Sequence, residues 1–269
     1  IASVASAHDD ELSRMHRPAA RDHHEQVTQW LHEAGIARAE GRWVQASTLL
    51  DSVAALAPHE PALARCRAQL ALDQGQPASA LAALGPHTAR ERDPRVLELR
   101  VEALARLDRF HEAALLADTL LAARSGVRIE HVLLRARIAL ECPAEGATGA
   151  IRVLDAGLAR WPGAWPLVER AIELEQSLGR FDAALARLDA LRGERAADAV
   201  WLARRGDVLA SARRPWEARA AWTDALAQLA HHRTVSAADR ALEARLHTRL
   251  SDPVLLEPHS PSTLVGVPR

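Results

Sequence analysis

The chain has 269 residues, 48% hydrophobic and 26% charged, with a formal net charge of −1. That balance gives no global field for nucleic acid or an anionic membrane. All 34 basic residues are Arg, so a phosphate-binding loop of the Walker type, a Schiff-base lysine and a protein-kinase core, which all need Lys, are excluded.

Ala and Leu carry the apolar fraction, Tyr is absent and Phe occurs twice. These are helix formers without the aromatics that favour strands. No run of about 18 apolar residues occurs, so no transmembrane helix is expected. Cys66 and Cys142 form no CxxC pair and have no metal-ligand spacing around them, and they read as small, buried helix residues.

At the start, Ala5-Ser6-Ala7 fits a signal-peptidase site, whose shallow pockets need small side chains. Residues 1–7 are therefore expected to be the remnant of an export signal, which places the protein in the periplasm; the alternative is the cytoplasm. Residues 8–26 form a His-rich leader with His8, His16, His23 and His24, and His32 follows. If cleavage follows Ala7, the amine and imidazole of His8 offer a copper chelate, with Asp9, Asp10 and His16 as further ligands.

From residue 27 a single pattern recurs: a turn residue, an aromatic or Pro, a polar residue, then Ala. It is seen in Gly41-Arg42-Trp43-Val44-Gln45-Ala46, Gly75-Gln76-Pro77-Ala78-Ser79-Ala80, Asp108-Arg109-Phe110-His111-Glu112-Ala113 and Gly179-Arg180-Phe181-Asp182-Ala183-Ala184. Weaker copies end at Ala150 and Ala218. The spacings from Ala46 through Ala80, Ala113, Ala150 and Ala184 to Ala218 are 34, 33, 37, 34 and 34 residues. The 37 fits an insertion near Arg124-Ser125-Gly126 or Cys142-Pro143-Ala144-Glu145-Gly146. Each period predicts two amphipathic helices joined by a tight turn, with Gly or Asp supplying the turn conformation. The Ala sits where the helices cross, and Trp43, Phe110 and Phe181 wedge against the first helix. Pro58 and Pro162 close the second helix. Gly85-Pro86 must cut the second repeat's second helix short.

Ser236 to Leu250 reads as one more helix, with Ser236 as N-cap and Asp239 at the capping-box position. Residues 251–269 form a Pro-rich tail.

A period of 34 with these small and apolar positions resembles the tetratricopeptide repeat. Trp201-Leu202-Ala203-Arg204-Arg205-Gly206-Asp207-Val208-Leu209, followed by Ala218, Trp222 and Ala225, is the best copy; Arg100, Arg137 and Arg205 stand where Leu is usual. The runner-up is another solenoid of αα-hairpins. The resemblance implies an all-α fold, a right-handed superhelical solenoid of antiparallel helix hairpins, with about six repeats plus a capping helix over residues 27–250.

The resemblance also implies that the first helices line a concave groove. Its register places Arg38, Arg65, Gln69, Glu98, Glu102, Arg135, Glu169, Glu173, Arg204 and Asp207 there. Glu98/Glu102 and Glu169/Glu173 are each one turn apart, so both pairs are expected to face one concavity and to favour a partner offering Arg, Lys or backbone N–H groups. The Lys and Asn of the groove that grips a C-terminal carboxylate are lacking. No HExxH, GxSxG or GxGxxG occurs. The expectation is a scaffold that binds a protein or peptide partner, with no catalytic residue, metal site, cofactor or nucleic acid. The alternative is an exported metal-binding or enzymatic protein with its chemistry in the His-rich leader.

Overall fold

The computed structural model describes residues 23–85, 93–123, 126–191, 193, 198–231 and 236–252. The described residues contain thirteen α-helices and no strand. In chain order they are α1 (23–39), α2 (Trp43–Leu56), α3 (Pro61–Asp73), α4 (Pro77–Leu84), α5 (Pro94–Ala105), α6 (Phe110–Leu121) and α7 (Ile129–Glu141). They continue with α8 (Gly146–Arg160), α9 (Trp165–Ser177), α10 (Phe181–Ala190), α11 (Ala199–Ser211), α12 (Pro215–Ala230) and α13 (Ala237–Leu250). The export remnant, most of the His-rich leader and the tail beyond residue 252 lie outside the described residues. His23 and His24, placed in the leader by sequence, already belong to α1.

The helices form two compact units that divide after Gly146. From α2 to α7 and from α9 to α13, successive helices pack on one another. No single core results. Clusters follow along the chain, such as Ala34, Ala37, Ala46 and Leu50 in one and Ala184, Leu188, Leu209 and Trp222 in another.

The alanine period marks the tightest points of this packing: Ala46, Ala80, Ala113, Ala150, Ala184 and Ala218 are all 0% exposed. The turns repeat as faithfully. A residue at positive φ follows the first helix at Gly41, Gly75, Asp108, Gly179 and Arg213. In each case the next residue's N–H bonds back to a carbonyl five residues earlier: Arg42 to Ala37, Gln76 to Ala71, Arg109 to Leu104, Arg180 to Glu175 and Arg214 to Leu209. This is the 6→1 closure of a Schellman turn. The α7–α8 turn departs from it. There Cys142 is extended, and the N–H groups of Glu145 and Gly146 both return to the Cys142 carbonyl. The long period arises here and in the α6–α7 link, because α7 starts 35 residues after α5 and α8 starts 36 after α6 (129−94, 146−110).

Starts and stops follow capping chemistry. Glu60, Asp93 and Asp198 accept N–H groups at the starts of α3, α5 and α11. Ser236 and Asp239 form a reciprocal capping box on α13. The helix before Gly85-Pro86 is cut to eight residues and ends at Gly85 with φ of 67°. Of the expected aromatic wedges, Phe110 packs against the α5–α6 cluster, and Phe110 and Phe181 are half-buried. Trp43 is 37% exposed. All three are first residues of their helices, where Pro77 and Pro215 stand in other hairpins, at the hairpin's edge rather than in the crossing.

One device ties hairpins together. The seventh residue of α3, α5, α7 and α11 is Arg, and each reaches back to the C-terminal half or cap of the second helix of the hairpin before it. Arg67 meets Asp51 at 2.6 Å, Arg135 meets Asp118 at 2.8 Å and Arg205 meets Asp189 at 3.5 Å. Arg100 takes the Gly85 and Leu84 carbonyls at 2.8 and 3.3 Å. The seventh residue of α9 is Ala171, and Asp155 of α8 is instead held by Arg187 from α10 at 2.6 Å. Burial of Arg187 works against its charge, but its bonds to Glu175 and Asp155 outweigh this and raise its pKa.

Candidate functional site

The alternation of first and second helices puts α1, α3, α5 and α7 side by side in the first unit. Their shared face encloses a groove of about 1040 Å³. Arg38, Arg65, Gln69, Glu98 and Glu102 all line it, as the register implied. Arg95, Arg106, Arg128 and His131 line it as well and were missed. Their signals were weak: Arg95 and Arg128 sit at helix starts, and Arg106 lies one turn beyond Glu102.

Charged pairs knit the groove across helices. Arg38 of α1 binds Asp73 of α3, which also takes Gln69 Nε2 at 3.1 Å. Arg65 of α3 binds Asp93 at 2.7 Å. Burial works against the Asp93 carboxylate, but the Arg95 N–H and the Arg65 guanidinium outweigh it and lower its pKa. Arg128 Nη2 reaches both Glu98 oxygens at 3.0 and 2.9 Å. Glu102 accepts from Arg106 Nε at 2.9 Å and from Arg137 of α7. Arg106 also donates to the Leu72 carbonyl at 2.6 Å. The carboxylates of α5 are thus engaged by arginines of their own chain.

His131 lies beneath this layer, 2% exposed. Its Nδ1 accepts the Arg128 backbone N–H at 3.2 Å, which leaves Nε2 to face Glu98 at 3.5 Å. Cys66 is a free thiol on the groove wall; burial, acting against the nearby Arg65 and Arg38, pushes its pKa up and keeps it protonated.

Arg135 is the correction on α7. It is 6% exposed and turned from the groove to Asp118 and Glu145. Its partners outweigh its burial and raise its pKa. Arg137, ninth in α7 as Gln69 and Glu102 are ninth in α3 and α5, is the arginine that instead faces Glu102. α7 starts 35 residues after α5 rather than the 37 that the alanine spacing gives, so its register lies two residues from the expected one, and two residues turn a side chain about 200° around a helix. The same slip had grouped Arg137, rather than Arg135, with Arg100 and Arg205.

In the second unit, Glu169 is half-buried and Glu173 is exposed, with Arg170 at 2.9 Å on its own helix. Arg204 is half-buried. Asp207 accepts from Trp222 Nε1 at 3.2 Å and faces Arg249 of α13 at 3.7 Å. Asp207 is therefore tied to the packing of its unit. Among the described residues no helix is long and apolar enough to cross a membrane, and no three His, Cys, Asp or Glu side chains are grouped to hold a metal ion. His8 and His16 of the copper alternative lie outside the described residues.

Residues 37–103, from the end of α1 into α5, match the tetratricopeptide repeat family. No curated protein matches the chain. Among solved structures, the C-terminal part of a TPR repeat-containing protein from Cytophaga hutchinsonii aligns with a TM-score of 0.57 at 9% identity, over 84% of this chain and 98% of that one. The APC/C hetero-tetramer Cut9-Hcn1 gives 0.49 at 14% identity, over 82% of this chain and 42% of that one. MamA from Desulfovibrio magneticus RS-1 gives 0.46 at 18% identity, over 64% and 97%. The first of these carries the fold assignment: the architecture is shared at 9% identity.

Proposed function

We propose that this tetratricopeptide-repeat protein is a non-enzymatic scaffold that holds an extended segment of a partner protein against α1, α3, α5 and α7. The observation that carries the reading is the groove itself. It is about 1040 Å³, open along four helices, and lined by side chains on a framework of interhelical ion pairs. A framework of that kind holds its donors in place before a ligand arrives, which lowers the ordering cost of binding.

The test is position-specific photo-crosslinking in the native cell. Benzoylphenylalanine replaces Gln69 in the groove, or Val44, which is 83% exposed and outside the groove lining. A discrete adduct from position 69 and none from 44 is expected. Equal adducts from both, or none from 69, would overturn the groove reading.

Export to the periplasm is a separate part of the proposal and rests on Ala5-Ser6-Ala7. Mass spectrometry of the mature N-terminus tests it, with cleavage after Ala7 expected and an intact leader counting against it.

A further inference from the structure

We infer that the segment held by the α1–α3–α5–α7 groove is acidic, an extended stretch of partner chain bearing several Asp or Glu side chains. The inference rests on the groove reading above and adds the partner's chemistry to it. Among the described residues, the groove and its direct ion-pair partners comprise six guanidiniums, on Arg38, Arg65, Arg95, Arg106, Arg128 and Arg137, and four carboxylates, on Asp73, Asp93, Glu98 and Glu102. The local balance is positive in a chain whose formal net charge is −1.

The imbalance is sharper when bonds are followed rather than charges. Each of the four carboxylates accepts at least two hydrogen bonds: Asp73 from Arg38 and Gln69, Asp93 from Arg65 and the Arg95 N–H. Glu98 takes Arg128 on both oxygens, and Glu102 takes Arg106 and Arg137. The arginines are not saturated. A guanidinium has five N–H donors. Arg38 and Arg65 bond through Nη1 only, and Arg128 only through Nη2. The Arg95 side chain is exposed and has no partner among the described residues. What the groove still offers a ligand is therefore N–H donors on planar cations, which match carboxylates in a forked geometry. A single-stranded nucleic acid fits less well, because His131 is the one aromatic ring of the lining and it is buried, leaving no platform for base stacking.

Fluorescence anisotropy on the full chain tests this with labelled peptides of about 12 residues, an extended reach of roughly 40 Å. One peptide alternates Glu with Ser and Gly; the others carry Gln or Arg in place of Glu. At about 50 mM salt the Glu peptide is expected to bind roughly tenfold tighter than the Gln peptide, and the gap should narrow at about 500 mM, where screening is strong. Two variants move in opposite directions. Arg95→Glu, at an exposed site, should weaken Glu-peptide binding about threefold or more. Glu102→Gln, which releases charge on Arg106 and Arg137, should tighten it about twofold, a change that misfolding would not produce.

Equal binding of the Glu and Gln peptides, tighter binding of the Arg peptide, weakening by Glu102→Gln, or no binding by any peptide would each overturn the inference. Tighter binding of an oligo-dT probe than of the Glu peptide would do the same. Crosslinking at position 69 distinguishes the two failures: an adduct there with no Glu preference leaves the groove reading standing and removes only the acidic partner.

Discussion

Arg100 Nη1 donates to the carbonyl of Gly85 at 2.8 Å, so a guanidinium of α5 that is 6% exposed closes the end of α4. The last carbonyls of any helix lack intrahelical donors, and a cation is favoured at that end. Gly85-Pro86 ends α4 after eight residues and leaves those carbonyls against the next hairpin. A Leu here would pack well and leave the carbonyls bare. Arg100 thus answers a defect at the end of the preceding helix. Arg100→Met keeps the aliphatic stem and removes the donors, and is expected to cost about 1.5–3 kcal/mol in urea unfolding.

Gly206 packs face to face with Trp222. A Cβ built on Gly206 would lie 2.4 Å from two atoms of the indole ring, and Trp222 is 0% exposed. The ring cannot retreat without breaking its Nε1–H bond to Asp207 at 3.2 Å. Gly206→Ala is expected to destabilise the second unit by about 1–3 kcal/mol or more, through overpacking of this crossing. Near-UV circular dichroism and thermal melting would report it. An unchanged tryptophan signal would show that α11 and α12 do not cross at this glycine.

Ala184, on the second helix of the preceding hairpin and equivalent to Ala218 here, is 0% exposed among Leu185, Leu188 and Leu209. Ala184→Leu is expected to cost roughly 1–3 kcal/mol. Ala183→Leu, one residue away on the exposed face, should leave the melting temperature nearly unchanged. The contrast between neighbours tests the register of the period rather than helix propensity.

Asp93 is expected to contribute to the acid sensitivity of the first unit. Its pKa is held below the ordinary Asp value: burial opposes this, but the Arg95 N–H and Arg65 outweigh it. A depressed carboxyl contributes stability that is present above its unfolded pKa and is lost as pH falls through the folded one. Melting temperature should therefore drop below about pH 4. Asp93→Asn keeps an N-cap but removes the charge, so its profile should be flatter between about pH 5 and pH 3. Parallel profiles would show that another carboxylate governs acid unfolding.

The hairpin period, the turns and the crossing alanines were legible in the sequence because they depend on the chain's immediate neighbourhood. A positive-φ residue closes the helix just before it, and a small residue is needed wherever two adjacent helices cross, so both recur with the repeat. The shortened α4 was legible for the same reason, in Gly85-Pro86. The groove was legible on α3 and α5, where a spacing of 33 residues carries the register from Arg65 and Gln69 to Glu98 and Glu102.

Tertiary structure decided what depends on neighbours far along the chain. The few extra residues about α7 sent Arg135 to Asp118 and Arg137 to Glu102, a side-chain reversal that the period of 37 by itself does not locate. It also decided whether the charges of the groove remain open to a partner. Arg38 and Asp73 are 35 residues apart, as are Glu102 and Arg137. Long side chains pair according to the distance and angle between helices, and that geometry exists only once the hairpins have packed. A row of glutamates that reads in sequence as a surface for basic partners is, in the folded first unit, the counter-charge of a groove with guanidinium donors to spare.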